Sequence, residues 1–100
     1  MIKHIVMWRL KDSANGNVME VNARLIKEKL EALAGRIAGM TAIEVGLDFS
    51  CAESSADVVL YTEFVDREAL EGYQRHPEHE AIKPFVSAAA TERRVADYEC

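Results

Sequence analysis

Hydrophobic and polar positions alternate in four segments of this chain, and the alternation predicts four β-strands. The segments are residues 2–10, 41–49, 57–65 and 92–99. In the first and third of them, apolar side chains occupy much of both alternating faces. Strands with this pattern are covered on both sides in folded proteins, so we expect both faces of the sheet to make contacts.

The segment between the first two strands has the composition and spacing of an amphipathic helix. Residues 18–38 contain no Pro, are rich in Glu, Lys, Leu and Ala, and carry a wide apolar stripe. Asn17 is the expected N-cap, and Gly39, which follows the last apolar position, is the expected stop. The polar residues 12–17 before this helix are predicted to form a turn.

The third predicted strand is followed by a helical segment that two prolines interrupt. Asp66 is the expected N-cap of this segment. Since the residue before a proline disfavours helical backbone, one helix should end near His76 and another should begin at Pro77. The second of these helices should continue to about residue 90, and Pro84 should kink or split it.

The order of elements is β-α-β-β-α-β when the broken helix is counted once. This order is typical of an α+β, ferredoxin-like fold, in which an antiparallel four-stranded sheet carries helices on one face. Right-handed crossovers then place the strands in the spatial order 4-1-3-2. The length of 100 residues suits one domain, so we expect residues 1–100 to fold as a unit.

Helices can cover only one face of such a sheet, and the opposite face is also apolar. If the alternation holds, that face carries Ile5, Met7, Val59, Tyr61 and Val65. A contiguous apolar patch of this kind usually marks an interaction surface. We therefore expect a homodimer in which two sheets pack face to face around a two-fold axis.

Charge and cysteine content exclude several classes of partner. The net charge is −5 and the basic residues are scattered, so neither nucleic acid nor an anionic membrane is an expected partner. The tightest basic pair, Arg93 and Arg94, would point to opposite faces of a strand. No apolar run approaches the roughly 20 residues that span a bilayer. Cys51 and Cys100 are too few for a disulfide framework and are expected to be reduced thiols in a cytoplasmic protein.

Candidate chemistry is limited to three places along the chain. These are His4 on the first strand, Tyr73 in the second helical segment, and the segment from His76 to His79. Histidine acts as a general acid or base near neutral pH, and a Tyr hydroxyl can donate to an oxygen where charge develops. Each residue also has a structural interpretation, as a core side chain or a turn residue. A zinc site is disfavoured because it needs three ligands and Pro77 separates the two histidines of the segment.

Two segments of the sequence resemble the stress-responsive α/β-barrel (Dabb) domain family. They are Met1–Lys11 and Tyr73–His79, the latter followed by Phe85-Val86 and a final strand. The resemblance covers essentially the whole chain and implies a dimeric α/β barrel. The family includes plant stress proteins and a plant polyketide cyclase.

The resemblance to the cyclase implies roles for individual side chains. His79 would be the general base, Tyr73 would hold a thioester carbonyl, and His4 would line the same cleft. Plant members also bind a cation through backbone carbonyls, and the resemblance implies that three carbonyls of this chain could hold a structural Mg²⁺. Those carbonyls belong to Ala34, Ile37 and Met40. No other cofactor is expected.

Three functions remain open at this point. The first is a small dimeric ligand-binding or stress-related protein. The second is a cofactor-free enzyme of the cyclase or lyase type. The enzyme would act on a small hydrophobic or oxygenated molecule, with His79 removing a proton beside a carbonyl. A cofactor-free monooxygenase of the same fold is a further alternative. Convergence of His4, Tyr73 and His79 on one solvent-accessible cavity would favour an enzyme.

Overall fold

The computed structural model describes residues 1–100 and contains one antiparallel four-stranded sheet with helices packed on one face. The strands of this sheet are β1 (Ile2–Leu10), β4 (Met40–Leu47), β5 (Val58–Phe64) and β6 (Ala90–Glu99). A separate short hairpin consists of β2 (Ser13–Ala14) and β3 (Asn17–Val18). The helices are α1 (Met19–Glu31), α2 (Arg67–Arg75), α3 (Pro77–Glu80) and α4 (Lys83–Ala89).

The spatial order of the sheet is β4-β5-β1-β6, and every neighbouring pair is antiparallel. Numbered by chain order among the four long strands, this is the predicted 4-1-3-2 arrangement. The α+β, ferredoxin-like fold is therefore confirmed. The helices cover the face on which alternate β1 residues from Ile2 to Leu10 are buried, and the hydrophobic core lies between them and the sheet.

The first helix is shorter than its apolar stripe predicted. Helix α1 ends at Glu31, and the following residues form turns in which Gly35 and Gly39 have φ of +76° and +79°. A backbone in this left-handed region cannot continue a right-handed helix. Leu33 and Ile37 remain buried, so the apolar stripe continues through the turns. The spacing of apolar residues therefore cannot distinguish a longer helix from a helix followed by turns with buried side chains.

The residues before α1 form a hairpin, where only a turn was predicted. Asn15 and Gly16 both have positive φ, as an Asn-Gly pair in a tight hairpin turn requires. Asn17 belongs to this hairpin, and its side-chain amide donates a hydrogen bond to Asn22. The prediction that Asn17 is the N-cap of the helix is therefore wrong. Val18 occupies the N-cap position without a side-chain bond.

The later elements follow the prediction more closely. Asp66 caps α2 by accepting a hydrogen bond from the Ala69 amide at 2.8 Å. The helix after Pro77 is split into α3 and α4 just before Pro84. Strand β4 ends at Leu47 rather than at Phe49, whose side chain is almost fully exposed.

The sheet face opposite the helices carries four of the five apolar residues that the alternation predicted, together with Arg94 opposite Met7, whereas Val65 lies beyond the end of β5. Ile5, Val59 and Tyr61 are half-buried there, and Met7 is exposed to 45%. Register places Ala96 and Tyr98 of β6 on the same face, opposite Ile5 and Lys3. We call this surface, formed by the outward-facing residues of β1, β5 and β6, the outer sheet face.

The close approach at Gly39 leads to a stability prediction. A Cβ at this position would lie 2.5 Å from the Ala69 Cβ, and φ is positive. Gly35 has a nearly equal φ but open space around it, so Gly35→Ala isolates the backbone term. We expect Gly35→Ala to lower the free energy of unfolding by about 1 kcal/mol and Gly39→Ala by about 3 kcal/mol. Urea unfolding measures both, and equal losses would contradict the steric explanation.

Candidate functional site

A cavity of about 690 Å³ lies between the sheet and helices α3 and α4, and both His4 and His79 line it. Its apolar wall consists of Val6, Trp8, Leu30, Leu60, Ile82, Val86 and Ala90. The other residues that line it, besides the two histidines, are polar: Gln74, Lys83, Ser87, Thr91, Glu92 and Arg93. An apolar cleft with a few convergent polar groups is the usual form of a small-molecule site.

Strand β1 directs His4 into this cavity, and the neighbouring strand supplies its partner. His4 is 3% exposed, and Asp97 lies directly opposite it in the β1–β6 register. The His4 Nδ1 and Asp97 Oδ1 atoms are 2.5 Å apart. A carboxylate at Nδ1 sets the orientation of the ring and leaves Nε2 free for another contact. The sequence analysis did not identify Asp97, because only the strand register connects it with His4.

Tyr73 lies in the last turn of α2, next to both imidazoles. Its ring centroid is 4.3 Å from that of His79, 6.1 Å from that of His4 and 5.3 Å from that of Phe64. The side chain is completely buried and does not form part of the cavity wall. Its hydroxyl has no hydrogen-bond partner in the protein. Leaving such a group unpaired costs about 1–3 kcal/mol, so a polar ligand atom that reached it would be favoured.

Burial raises the pKa of Tyr73 to about 12, and the nearby Arg93 guanidinium opposes the shift only in part. The hydroxyl therefore stays protonated throughout the neutral range and can act only as a donor or a neutral acceptor. A protonated phenol is suited to stabilise an oxygen on which negative charge develops.

His79 lies in α3 and is half-buried at the cavity. Burial lowers the pKa of its imidazole, although the backbone carbonyl of Gln74 opposes the shift. Its Nδ1 atom is buried and has no hydrogen-bond partner in the protein. The ring is therefore neutral at pH 7 and is not held by backbone at both nitrogens. These are the properties of a side chain that can accept a proton.

His76 has the structural role that was considered for it. Its Nδ1 accepts a hydrogen bond from the Glu78 amide at 3.1 Å, so it is the N-cap of α3. It is not among the residues that line the cavity with His79. No group of three or more His, Cys, Asp or Glu side chains is close enough to hold a metal ion.

Two of the predicted carbonyl ligands, Ala34 and Ile37, lie in the turns after α1, Met40 begins β4, and none of the three lines this cavity. Ala34 is exposed, Ile37 is buried, and the Ile37 carbonyl accepts a hydrogen bond from the Met40 amide at 3.2 Å. One of the three oxygens therefore already has a partner within the backbone. A cation at this position stays a prediction.

The lowered pKa of His79 leads to a pH-dependent stability. The unfolded chain binds a proton on this imidazole near pH 6.5, whereas the folded protein resists it, so folding stability falls as pH decreases through about 6.5. We compare the unfolding free energy of wild type minus that of His79→Gln. We expect this difference to be constant above about pH 7.5 and to decrease below about pH 6.5, because only wild type loses stability through this imidazole. Denaturant unfolding between these pH values measures it. A difference that grows as pH falls would contradict the lowered pKa.

The element order, the strand order and the one-sided helices define an α+β protein of the ferredoxin-like class. The family model of the stress-responsive A/B barrel domain matches residues 2–100. The chain therefore belongs to the stress-responsive A/B barrel, or Dabb, family. None of its helices has the length and hydropathy that crossing a membrane requires.

Individual relatives agree with this assignment. The chain is 30% identical to an uncharacterized protein of Streptomyces coelicolor, over 99% of both sequences. A dimeric protein of unknown function from Bacteroides fragilis, described as having a ferredoxin-like fold, superposes with a TM-score of 0.85 at 33% identity. That match covers 99% of this chain and 95% of the other. An antibiotic biosynthesis monooxygenase superposes with a TM-score of 0.75 at 18% identity, covering 100% of this chain and 98% of the other, which shows a shared fold only.

Proposed function

We propose that the cavity binds a small oxygenated molecule and that His79 removes a proton from the carbon beside its carbonyl group. The observation that carries the proposal is the state of His79, a neutral imidazole in the cavity wall whose Nδ1 has no protein partner. A general base needs a position at the ligand and a pKa that leaves it unprotonated at working pH. His79 meets both conditions.

The proposed proton transfer needs only His79 and the carbonyl group of the ligand. The carbon–hydrogen bond breaks, the proton moves to the His79 imidazole, and the electron pair moves onto the carbonyl oxygen as an enolate. Return of the proton to carbon gives exchange. Alternatively, the enolate carbon attacks a second carbonyl of the same molecule, a carbon–carbon bond forms as the carbonyl π bond breaks, and the resulting alkoxide takes the proton from His79; this ring closure is the reaction type of a cyclase. Neither outcome consumes an oxidant or a cofactor.

Two further groups support the developing enolate. The Tyr73 hydroxyl is protonated, unpaired and next to the His79 ring, so it can donate to the oxygen once a ligand displaces the side chains that cover it. His4 lines the same cavity, and Asp97 holds its ring in one orientation. We propose that Tyr73 is the electrophilic donor and that His4 positions the ligand.

Solvent exchange of carbon-bound protons tests the proposal without knowledge of the natural substrate. The probe is benzylacetone, an aromatic ketone, in deuterium oxide, and NMR follows loss of the protons beside its carbonyl. We expect the protein to accelerate exchange beyond an equal concentration of free imidazole. The rate should rise with pH and level off above the lowered pKa of His79. Exchange no faster than with free imidazole would refute the base role.

We also propose that two copies of the chain pair through their outer sheet faces. The exposed Met7 and Tyr98 and the half-buried Ile5, Val59 and Tyr61 form one apolar surface, which is costly to leave in water. The β4 edge of the sheet is less suited to pairing, because α1 side chains already occupy it. Lys27 donates to the Val45 carbonyl at 2.6 Å, and the Val45 amide donates to Glu31 at 3.0 Å.

A further inference from the structure

The cavity contains an arginine that the proton-transfer step does not use. Arg93 lies directly opposite Trp8 in the β1–β6 register, on the face of the sheet that the helices cover. Both residues line the cavity. Arg93 is exposed to solvent and forms no ion pair, whereas the other lining cation, Lys83, is paired with Glu80 at 2.6 Å.

The acidic residues near Arg93 do not neutralise it. Glu92 is its neighbour in the strand, and alternation directs that side chain to the opposite face, across from Arg9. Asp97 points to the same face as Arg93 but is paired with His4, four residues further along the strand. In a chain with a net charge of −5, the rim of the cavity is thus a local site of positive charge.

The remaining wall near Arg93 is apolar. Trp8 lies beside it, and Val86 and Ile82 of the helical layer are part of the same wall. His4 and Trp8 are four residues apart on β1, a rise of about 13 Å. The backbone of Arg93 is therefore at the Trp8 end of the cavity, and His4 lies toward the other end.

We propose that the ligand of this cavity is a carboxylic acid whose carboxylate binds Arg93 while its apolar body lies on Trp8. The inference rests on the proposed function, because it names the class of molecule that occupies the same cavity. A guanidinium presents two parallel N–H groups that match the two oxygens of a carboxylate. The carboxylate is at the end of the ligand remote from the carbonyl that His79 activates, separated from it by several bonds.

A matched pair of probes tests the charge requirement. Hydrocinnamate and its primary amide have the same apolar body and differ in the terminal group. Binding is measured by the fluorescence of Trp8, the one tryptophan of the chain and a residue of the cavity wall. We expect wild type to bind the acid about tenfold more tightly than the amide, and added salt to weaken only the acid.

Two variants separate a direct contact from a general loss of charge. Arg93→Gln should weaken binding of hydrocinnamate about tenfold and leave the amide unchanged. Arg24→Gln removes the same charge from an exposed position of α1 outside the cavity and should change neither. Both residues are exposed, so both variants should fold.

The outcomes distinguish this inference from the proposed function. Equal binding of acid and amide by wild type would refute the carboxylate class and leave the cavity as a binding site. Equal weakening of acid binding by Arg93→Gln and Arg24→Gln would refute a contact with Arg93. Binding of neither probe would refute this inference, while the exchange of benzylacetone protons judges the role of His79 separately.

Discussion

We expect substitution of His79 by Ala to lower the proposed protein-catalysed exchange of benzylacetone protons by about 10²–10³-fold, within the usual contribution of a general base. The loss is large because His79 is the imidazole beside the Tyr73 donor, whereas the His4 ring centroid lies farther from that of Tyr73, at 6.1 Å. The variant also leaves space beside the Tyr73 ring, whose centroid is 4.3 Å from that of His79. Free imidazole should enter this space and restore part of the rate.

The matched control for this experiment is His76→Asn. Asn is a good N-cap residue, so the variant keeps a side-chain acceptor for the Glu78 amide and removes a nearby imidazole outside the cavity. Its exchange rate should equal that of wild type. A similar loss in both variants would mean that damage to α3, rather than removal of a base, explains the effect. Failure of imidazole to rescue His79→Ala would point the same way.

Substitution of Met7 by Asp converts the dimer into monomers at micromolar concentration. Met7 lies in the central strand β1 on the outer sheet face and is 45% exposed in the single chain. Pairing of two sheets would bury two added carboxylates, and their desolvation is costly even though Arg94 lies opposite Met7 in the register, so we expect the dissociation constant to rise by about 10²-fold. Sedimentation equilibrium over a range of concentrations measures the change.

Val18→Asp is the control for the added charge. Val18 is also an exposed apolar residue, but it lies at the N-cap of α1, where it forms no side-chain hydrogen bond. An Asp there should cap the helix and leave the association unchanged. A monomeric wild type would contradict the dimer, and equal weakening by both variants would place the interface elsewhere.

The fold was largely predictable because its signals are local. Alternation located the four long strands, Asp66 marked the start of α2, and the prolines marked the breaks after it. The end of α1 was not predictable in this way, because Leu33 and Ile37 continue the apolar stripe after the helix has ended. The helix has already ended at Glu31 when positive φ at Gly35 excludes further helical backbone, and a glycine at that position is compatible with either conformation.

The candidate site was predictable only in part. The sequence pattern predicted that His4 would face the core and that His79 would belong to a motif with Tyr73, and both histidines line one cavity. Tyr73 lies deeper than the motif implies, because its ring packs on Phe64 and on His79. Tyr73 is buried to this degree because α2 packs on the sheet. The spacing of residues within the motif does not indicate how this helix packs.

The sequence by itself determined which residues form strands, which faces of those strands are apolar, and which side chains are of a type that can exchange a proton near neutral pH. These properties depend on neighbours within a few positions, so periodicity and residue type reveal them. Only the tertiary structure decided that Asp97 pairs with His4, from which it is 93 residues away, and that Arg93 faces the cavity beside Trp8. Strand register sets these contacts, and register results from packing of the whole core.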